Sequence, residues 1–277
     1  MDLNWLECFV IGLFAGFADV LPVSAQAHKV IFLKIFGANA EPPLLRLAIH
    51  VAILGMLYFC CSSNLKRLNR QLRLARIPKK KRKRPLDPKS VAEFKVLRMM
   101  LIPVVISLVA YSKTYTMAGR MVLVSVFLLL NGVVLYLPKL MPTGNKDALS
   151  MSALDSLLIG SGSIVGALPG VSPVGGMLSF ASICGVERNF ALNLGYLANL
   201  LILVGAVFVD ILAVINGNVV FSIPVFICCA AAAAAAAVGT YFGVRVMRFL
   251  ANQNGISDFA YYSFGAALFC FILYLMV

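Results

Sequence analysis

Leu21-Pro22-Val23-Ser24 and Leu168-Pro169-Gly170-Val171-Ser172 are the two stretches that decide the fold of this chain. Each interrupts a glycine-rich apolar segment, the first at about residues 4–36 and the second at about residues 153–185. Proline inside a helix removes a backbone hydrogen bond and clashes with the preceding turn. Each segment therefore predicts a broken helical hairpin. The alternative is two ordinary proline-kinked helices, but a serine follows the proline at matched places in both.

Three unbroken apolar segments follow each broken one, and each is long enough to cross ~30 Å of hydrocarbon as a helix. They lie at about residues 44–61, 99–115, 118–137, 190–212, 219–243 and 257–277. The chain is also 61% hydrophobic, which is more than a soluble domain normally carries. We predict an all-α polytopic membrane protein with about six transmembrane helices and two re-entrant helical hairpins.

The order of these segments predicts one membrane domain over residues 1–277, made of two inverted repeats at 1–137 and 150–277. Broken hydrophobic segments at corresponding places in two halves are typical of a binding site near the middle of the bilayer. Non-helical backbone at that depth persists only where protein or a water-filled cavity satisfies it. We therefore expect the two breaks to meet around a polar cavity.

The net charge of +13 is concentrated in one loop, because residues 62–98 hold fourteen Lys and Arg against two acids. Basic loops stay in the cytoplasm, so we predict a cytoplasmic loop with both termini outside. Leu65, Leu68 and Leu72 recur there at helical spacing among Lys and Arg, which predicts an amphipathic basic helix. Such a helix favours anionic membrane lipids as partners. A topology anchor explains the charge equally well, and nucleic acid is not expected between membrane spans.

Residues 19–28 resemble the first signature of the undecaprenyl-diphosphate phosphatase (bacitracin-resistance) family, Glu-Phe-Leu-Pro-[Val/Ile]-Ser-Ser-[Ser/Thr]-Gly-His. Here they read Asp19-Val20-Leu21-Pro22-Val23-Ser24-Ala25-Gln26-Ala27-His28. Residues 168–175, Leu-Pro-Gly-Val-Ser-Pro-Val-Gly, resemble the second signature, Pro-Gly-Val-Ser-Arg-Ser-Gly. Residues 49–54 and 245–262 are similar to two further family segments, so the resemblance covers nearly the whole chain.

The resemblance implies a polyprenyl diphosphate ligand, a multi-pass location in the bacterial cell membrane and a role in cell-wall synthesis. It also implies attack by a hydroxyl or water on the terminal phosphorus, often with a divalent cation such as Mg or Ca. The implied catalytic residues are Asp19, Ser24, His28 and Ser172, with Asp19 also a metal ligand. The implied substrate-binding residues are Gln26, Lys29, His50, Gly170 and Gly175. A homodimer is left open.

Several family positions are substituted in this chain. An upstream family Glu falls on Ala15, the second Ser of the Ser-Ser pair falls on Ala25, and the family Arg falls on Pro173. The second family Glu falls on Asp19, which keeps a carboxylate one methylene shorter, and the Ser after the Arg falls on Val174. Losing a bidentate phosphate-binding Arg removes a major stabiliser of phosphoryl transfer. We therefore expect hydrolysis to be absent or much weaker than with the full signature. Lys29, beside His28, is open as a replacement cation, and so are Arg46 and Arg188.

Three functions fit these residues. The first is hydrolysis of undecaprenyl diphosphate to the monophosphate. The second is a catalytically degenerate homologue that binds polyprenyl phosphate or moves it across the membrane. The third is a non-catalytic subunit of cell-envelope assembly. Asp210, near the predicted end of a span, is interpreted as an interfacial residue.

Overall fold

The computed structural model describes residues 3–38, 40–82, 84–114, 117, 119–217, 222–252 and 255–276. Within these ranges the chain folds into ten α-helices joined by turns and short 3₁₀ segments. They are α1 (Trp5–Val20), α2 (Ala25–Ile35), α3 (Pro43–Ala75), α4 (Pro88–Thr114), α5 (Met121–Tyr136), α6 (Ala153–Val165), α7 (Pro173–Ile183), α8 (Arg188–Asn216), α9 (Ile223–Asn252) and α10 (Phe259–Met276).

Six helices of the described chain are long and apolar enough to cross a membrane, namely α3, α4, α5, α8, α9 and α10. They coincide with the six unbroken apolar segments, so the prediction of an all-α polytopic membrane protein is confirmed. Many large apolar side chains on these helices remain exposed, for example Phe59, Phe208 and Leu268. Lipid is the environment that suits such a surface.

Both proline stretches break the chain as predicted. Helix α1 ends at Val20, and α2 begins after Ser24, whose side chain caps it. Helix α6 ends at Val165, and α7 begins after Ser172, which caps it in the same way. The serine shared by the two stretches is thus an N-cap in both places, and its hydroxyl accepts a backbone N–H that the new helix leaves unpaired. Re-entry of the two hairpins on the same membrane side stays a prediction.

The first helix of each hairpin packs against a helix from the other half of the chain. Helix α1 lies along α9, and α6 lies along α4, while α3 packs on α8 and α5 packs on α10. Reciprocal pairings of this kind are what an inverted repeat predicts, and the repeat itself stays a prediction. The repeat boundaries themselves, 1–137 and 150–277, remain predictions.

Small residues allow α1 and α9 to come into backbone contact. A Cβ placed on Gly12 would overlap the backbone of Ala232, and one on Gly16 would overlap that of Ala236. Ala232 and Ala236 belong to the run of eight alanines at 230–237 and are fully buried. This run is therefore a packing surface, as small residues at membrane helix interfaces usually are.

The predicted amphipathic basic helix is observed, but it is the last part of α3 and not a separate element. Helix α3 has 33 residues and is about 50 Å long at 1.5 Å per residue, so it extends well beyond ~30 Å of hydrocarbon. Arg67 in this extension donates to Ser90 Oγ at 2.6 Å and to Glu93 Oε2 at 2.5 Å on α4. Contact of this segment with anionic lipid remains a prediction, and Lys83 lies outside the described residues.

Candidate functional site at the two helix breaks

The two breaks lie against each other. Ser172 Oγ donates to the carbonyl oxygen of Leu21 at 3.0 Å. Asn131, fully buried on α5, joins both breaks: its Oδ1 accepts from the Ser172 N–H at 3.0 Å, and its Nδ2 donates to the Pro22 carbonyl at 3.2 Å. Asn131 Nδ2 also donates to Ser263 Oγ at 2.9 Å. The expected meeting of the breaks is therefore observed.

Side chains from other helices satisfy further carbonyls that the breaks leave free. Tyr196 on α8 donates its hydroxyl to the Val20 carbonyl at 3.1 Å. Thr114 at the end of α4 donates to the Ala167 carbonyl at 2.6 Å. An unsatisfied backbone group in the membrane interior costs several kcal/mol. These contacts explain how irregular backbone persists at the centre of the fold.

A cavity of about 70 Å³ lies beside the junction of the breaks. Six of the predicted site residues line it, namely Asp19, Ser24, Gln26, Lys29, His50 and Ser172. Its other polar lining comes from Ser107, Tyr111, Ser163 and Asn199. This chamber thus has a mixed lining, in which polar side chains from several helices lie among apolar ones.

Two helix N-termini converge on this cavity. Ser24 Oγ accepts from the Ala27 N–H at 3.3 Å at the start of α2, and Ser172 Oγ accepts from the Gly175 N–H at 3.1 Å at the start of α7. Helix N-termini carry partial positive charge and unpaired N–H groups, so they bind phosphates and other anions. Gln26, at the second position of α2, has a buried Nε2 with no hydrogen-bond partner among the described residues. The cavity is therefore suited to an anion.

Lys29 reaches the cavity with its charge already paired. Its Nζ lies 2.9 Å from Glu41 Oε1, and both side chains are buried. Glu41 was not predicted as a site residue, because it lies in the loop after the first hairpin. Lys29 therefore contributes less net positive charge than a free lysine would.

His50 belongs to a buried ionic triad that the sequence did not reveal. Its Nδ1 lies 2.6 Å from Asp210 Oδ2, and Arg46 Nε donates to Asp210 Oδ1 at 2.5 Å. Asp210 is 0% exposed, because α8 continues to Asn216 and places Asp210 more than one turn inside the helix. It is therefore paired inside the protein, and its position at the membrane interface stays a prediction. Arg188, another cation left open, lines a separate cavity with Lys139 and Asp258.

His28 is buried near the cavity but is not among the residues that line it. Its Nδ1 lies 2.6 Å from the Ser24 carbonyl, and its Nε2 lies 2.6 Å from the Tyr262 hydroxyl, with the two rings stacked. Because a carbonyl only accepts, Nδ1 carries a proton there. The expectation that His28 lines the cavity with the other site residues is thus not met.

Gly170 and Gly175 also lie outside the cavity wall. Gly170 has φ of 137°, a backbone conformation that favours glycine, and it packs on the backbone of α5. A Cβ on Gly175 would lie 3.1 Å from Pro22 Cβ. Both glycines allow the breaks to approach, and their predicted contact with substrate stays a prediction.

Asp19 is the one carboxylate among the residues that line the cavity, and Asn199 Nδ2 donates to its Oδ2 at 2.9 Å. Divalent Mg or Ca takes six or more oxygen ligands, usually with more than one carboxylate. Among the described residues no three His, Cys, Asp or Glu side chains come together. These residues do not form a protein-only cage for the predicted cation.

Three of the substituted family positions, Ala15, Ala25 and Pro173, occupy different surroundings. Ala25 and Pro173 line the cavity, directly after the two capping serines. Ala15 is fully buried in α1 and is not part of the cavity wall. The hydroxyl missing at Ala25 and the guanidinium missing at Pro173 are thus lost from the wall of the chamber.

In the described part of the chain, six helices long enough to span a membrane and two helix breaks in contact beside a cavity define a multi-pass membrane protein with a candidate site inside the fold. The family described as "Bacitracin resistance protein BacA" matches residues 8–269. This chain belongs to that family, as the two signatures predicted, and it is a multi-pass protein of the bacterial cell membrane.

Curated relatives agree with this assignment. An undecaprenyl-diphosphatase of Carboxydothermus hydrogenoformans is 22% identical over 263 residues, which cover 94% of each chain. One of Methanobrevibacter smithii is 22% identical over 280 residues, covering 98% of each. One of Thermosipho melanesiensis is 25% identical over 203 residues, covering 73% of this chain and 76% of that one.

Proposed function

We propose that this chain is an undecaprenyl-diphosphate phosphatase, which removes the terminal phosphate of the lipid carrier and leaves the monophosphate. The observation that carries the proposal is the convergence of two helix N-termini, capped by Ser24 and Ser172, on one buried polar cavity. Relatives named undecaprenyl-diphosphatase cover nearly all of the chain and support the same substrate.

The terminal phosphate would lie between the two N-termini, where backbone N–H groups favour its oxygens. Gln26 offers an unpartnered amide, and Lys29 offers a paired cation, at the wall of the same chamber. A water or the Ser24 hydroxyl would attack the phosphorus, and Asp19 would stabilise the attacking group through a hydrogen bond. Catalysis in such a site is mainly positioning and charge stabilisation.

We expect turnover to be slow because Ala25 and Pro173 line the chamber. Alanine brings no hydroxyl, and proline brings neither a charge nor a backbone N–H. Removing one such stabilising donor commonly lowers kcat by ~10²–10³. The same two residues favour a second candidate function, in which the chain binds or translocates polyprenyl phosphate without hydrolysis.

Phosphate release from undecaprenyl diphosphate by the purified protein in detergent tests the proposal. We expect slow release that is abolished by Asp19→Asn. The double variant Ala25→Ser/Pro173→Arg should release phosphate faster than the wild type, because it restores both missing groups to the chamber. Adding Ala15→Glu to this double variant is not expected to raise the rate further, because a carboxylate there would be buried away from the cavity. Retained lipid binding with no release in any form would reject hydrolysis and favour translocation.

A further inference from the structure

The chain has two histidines, and the structure gives them different hydrogen bonds. Both ring nitrogens of His28 are engaged, by Ser24 and Tyr262, outside the cavity. His50 uses only Nδ1, which faces Asp210. Within the described residues its Nε2 has no hydrogen-bond partner, although His50 is only 8% exposed and lines the cavity. A polar atom in that position points to a ligand or a bound water.

The partners of His50 fix which nitrogen is available. A carboxylate only accepts hydrogen bonds, so Asp210 holds the Nδ1–H tautomer of the neutral ring and leaves a lone pair on Nε2. Arg46 occupies the other oxygen of Asp210 and neutralises its charge. A carboxylate that orients an imidazole in this way is the arrangement by which hydrolases hold a general base. Asp210 and Arg46 therefore have a positioning geometry and do not themselves line the cavity.

We propose that His50, and not His28, is the imidazole presented to the phosphate of the ligand, with Asp210 as its positioning residue. The proton transfer to His50 rests on the proposed phosphatase function, whereas the position of His50 beside the ligand does not. In that step water forms a bond to the terminal phosphorus while its proton passes to His50 Nε2. The bond to the bridging oxygen breaks, and its electron pair leaves with the lipid monophosphate. The proton then passes to solvent or to the departing inorganic phosphate.

Charged or titratable side chains from five helices lie in the chamber wall or in the ionic triad beside it. Asp19 comes from α1, Lys29 from α2, Tyr111 from α4 and Asp210 from α8, with Arg46 on α3 itself. Asp19 interacts electrostatically with both His50 and Lys29. An activity profile against pH would report all of these groups together, so single substitutions compared at one fixed pH separate them better.

The first test compares His50→Gln with His28→Gln in the phosphate-release assay. Glutamine is neutral and can still donate to Asp210, so the ionic pair with Arg46 is kept. Loss of a general base lowers the rate by ~10²–10⁴, so His50→Gln should lower kcat by that factor with KM changed less than about threefold. His28→Gln should lower kcat by less than about tenfold. An active His50→Gln enzyme, or an equal or larger loss of kcat in His28→Gln, would overturn the proposal.

The positioning role of Asp210 requires a charge-balanced variant, because Asp210→Asn alone leaves Arg46 buried without its counter-charge. We expect the double variant Arg46→Gln/Asp210→Asn to fold and to keep the KM of the wild type. Its kcat should fall, because asparagine in place of Asp210 no longer holds the His50 ring in the Nδ1–H tautomer and part of the protein carries the proton on Nε2. A change in KM alone would contradict positioning.

A readout without turnover separates this inference from the proposed function. Protein labelled with ¹⁵N-histidine gives signals from two imidazoles, which the two glutamine variants assign. Addition of undecaprenyl phosphate should shift the His50 ring nitrogens and leave those of His28 in place. A shift confined to His28 would refute the assignment. A shift of His50 in a protein that releases no phosphate would reject hydrolysis while supporting His50 as the residue that faces the ligand.

Discussion

Replacement of Asn131 by leucine should destabilise the protein more than its position in one helix suggests. Leucine has a similar volume and suits a buried helix. The loss in the free energy of unfolding therefore comes from three hydrogen bonds, to Ser172, Pro22 and Ser263. Side-chain hydrogen bonds between membrane helices average about 0.6 kcal/mol each, which gives about 2 kcal/mol if all three are ordinary.

Two of these bonds are not ordinary, because they serve backbone groups at the helix breaks. The Ser172 N–H and the Pro22 carbonyl lie where no helix ladder supplies another partner. A buried polar group left unsatisfied costs about 1–3 kcal/mol. Orphaning both groups therefore gives an expected loss of about 2–6 kcal/mol in the free energy of unfolding. The middle of this range is well above the loss of about 2 kcal/mol expected for three ordinary bonds.

Reversible unfolding in mixed detergent micelles with increasing dodecyl sulfate measures this loss. Asn193→Leu is the matched control, because Asn193 accepts only one described bond, from the Asn64 side chain at 3.1 Å. It should cost about 0.6 kcal/mol. If Asn131→Leu falls within about 0.5 kcal/mol of this control, the backbone groups at the breaks have found other partners and the reasoning fails.

Three further outcomes are expected. Gly16→Ile should lower the free energy of unfolding by about 1–3 kcal/mol, because the larger side chain overpacks against α9. Gly55→Ile is the control and should leave it unchanged, because nothing lies within 4 Å of a Cβ at Gly55. Equal effects of the two substitutions would contradict the close approach of α1 and α9. A cysteine at Lys80, in a cysteine-free background, should resist an impermeant maleimide in intact cells, and labelling there would reverse the predicted topology. The Ser90 hydroxyl donates to the Asp87 carboxylate and holds the pKa of that carboxyl below its ordinary value. The contribution of the ionised Asp87 carboxylate to the free energy of unfolding is therefore fully present above the unfolded pKa of about 3.9. It is lost as the pH falls through the lower pKa of the folded protein. Ser90→Ala should raise the pKa of Asp87 in an NMR titration, and an unchanged pKa would refute the hydrogen-bond cause.

Local chemistry explains what could be predicted from the sequence. Proline at 22 and 169 breaks a helix wherever the rest of the chain lies, and a serine after a break caps the next helix for short-range reasons. The six spans follow from the length of apolar runs alone. These features need no knowledge of which helices become neighbours.

Long-range contacts explain what was missed. Asp210 lies 160 residues from His50, and no local pattern says that these two side chains share a site. The orientation of the His28 ring is set by Tyr262 on α10. A motif match places His28 in the sequence but does not say which way its side chain points. Asn131, Asn199 and Asp210 did leave one signal, since each is a polar residue within an apolar span.

The pairing of α1 with α9 also has a consequence for biosynthesis. About 200 residues separate the end of α1 from the start of α9, and ribosomes add about 5–20 residues per second. The N-terminal hairpin is therefore made about 10–40 s before its main packing partner. Its broken backbone cannot lie unpaired in hydrocarbon during that time. The first segment to be synthesised must wait in contact with water or an insertion factor, and it is among the last to reach its final place.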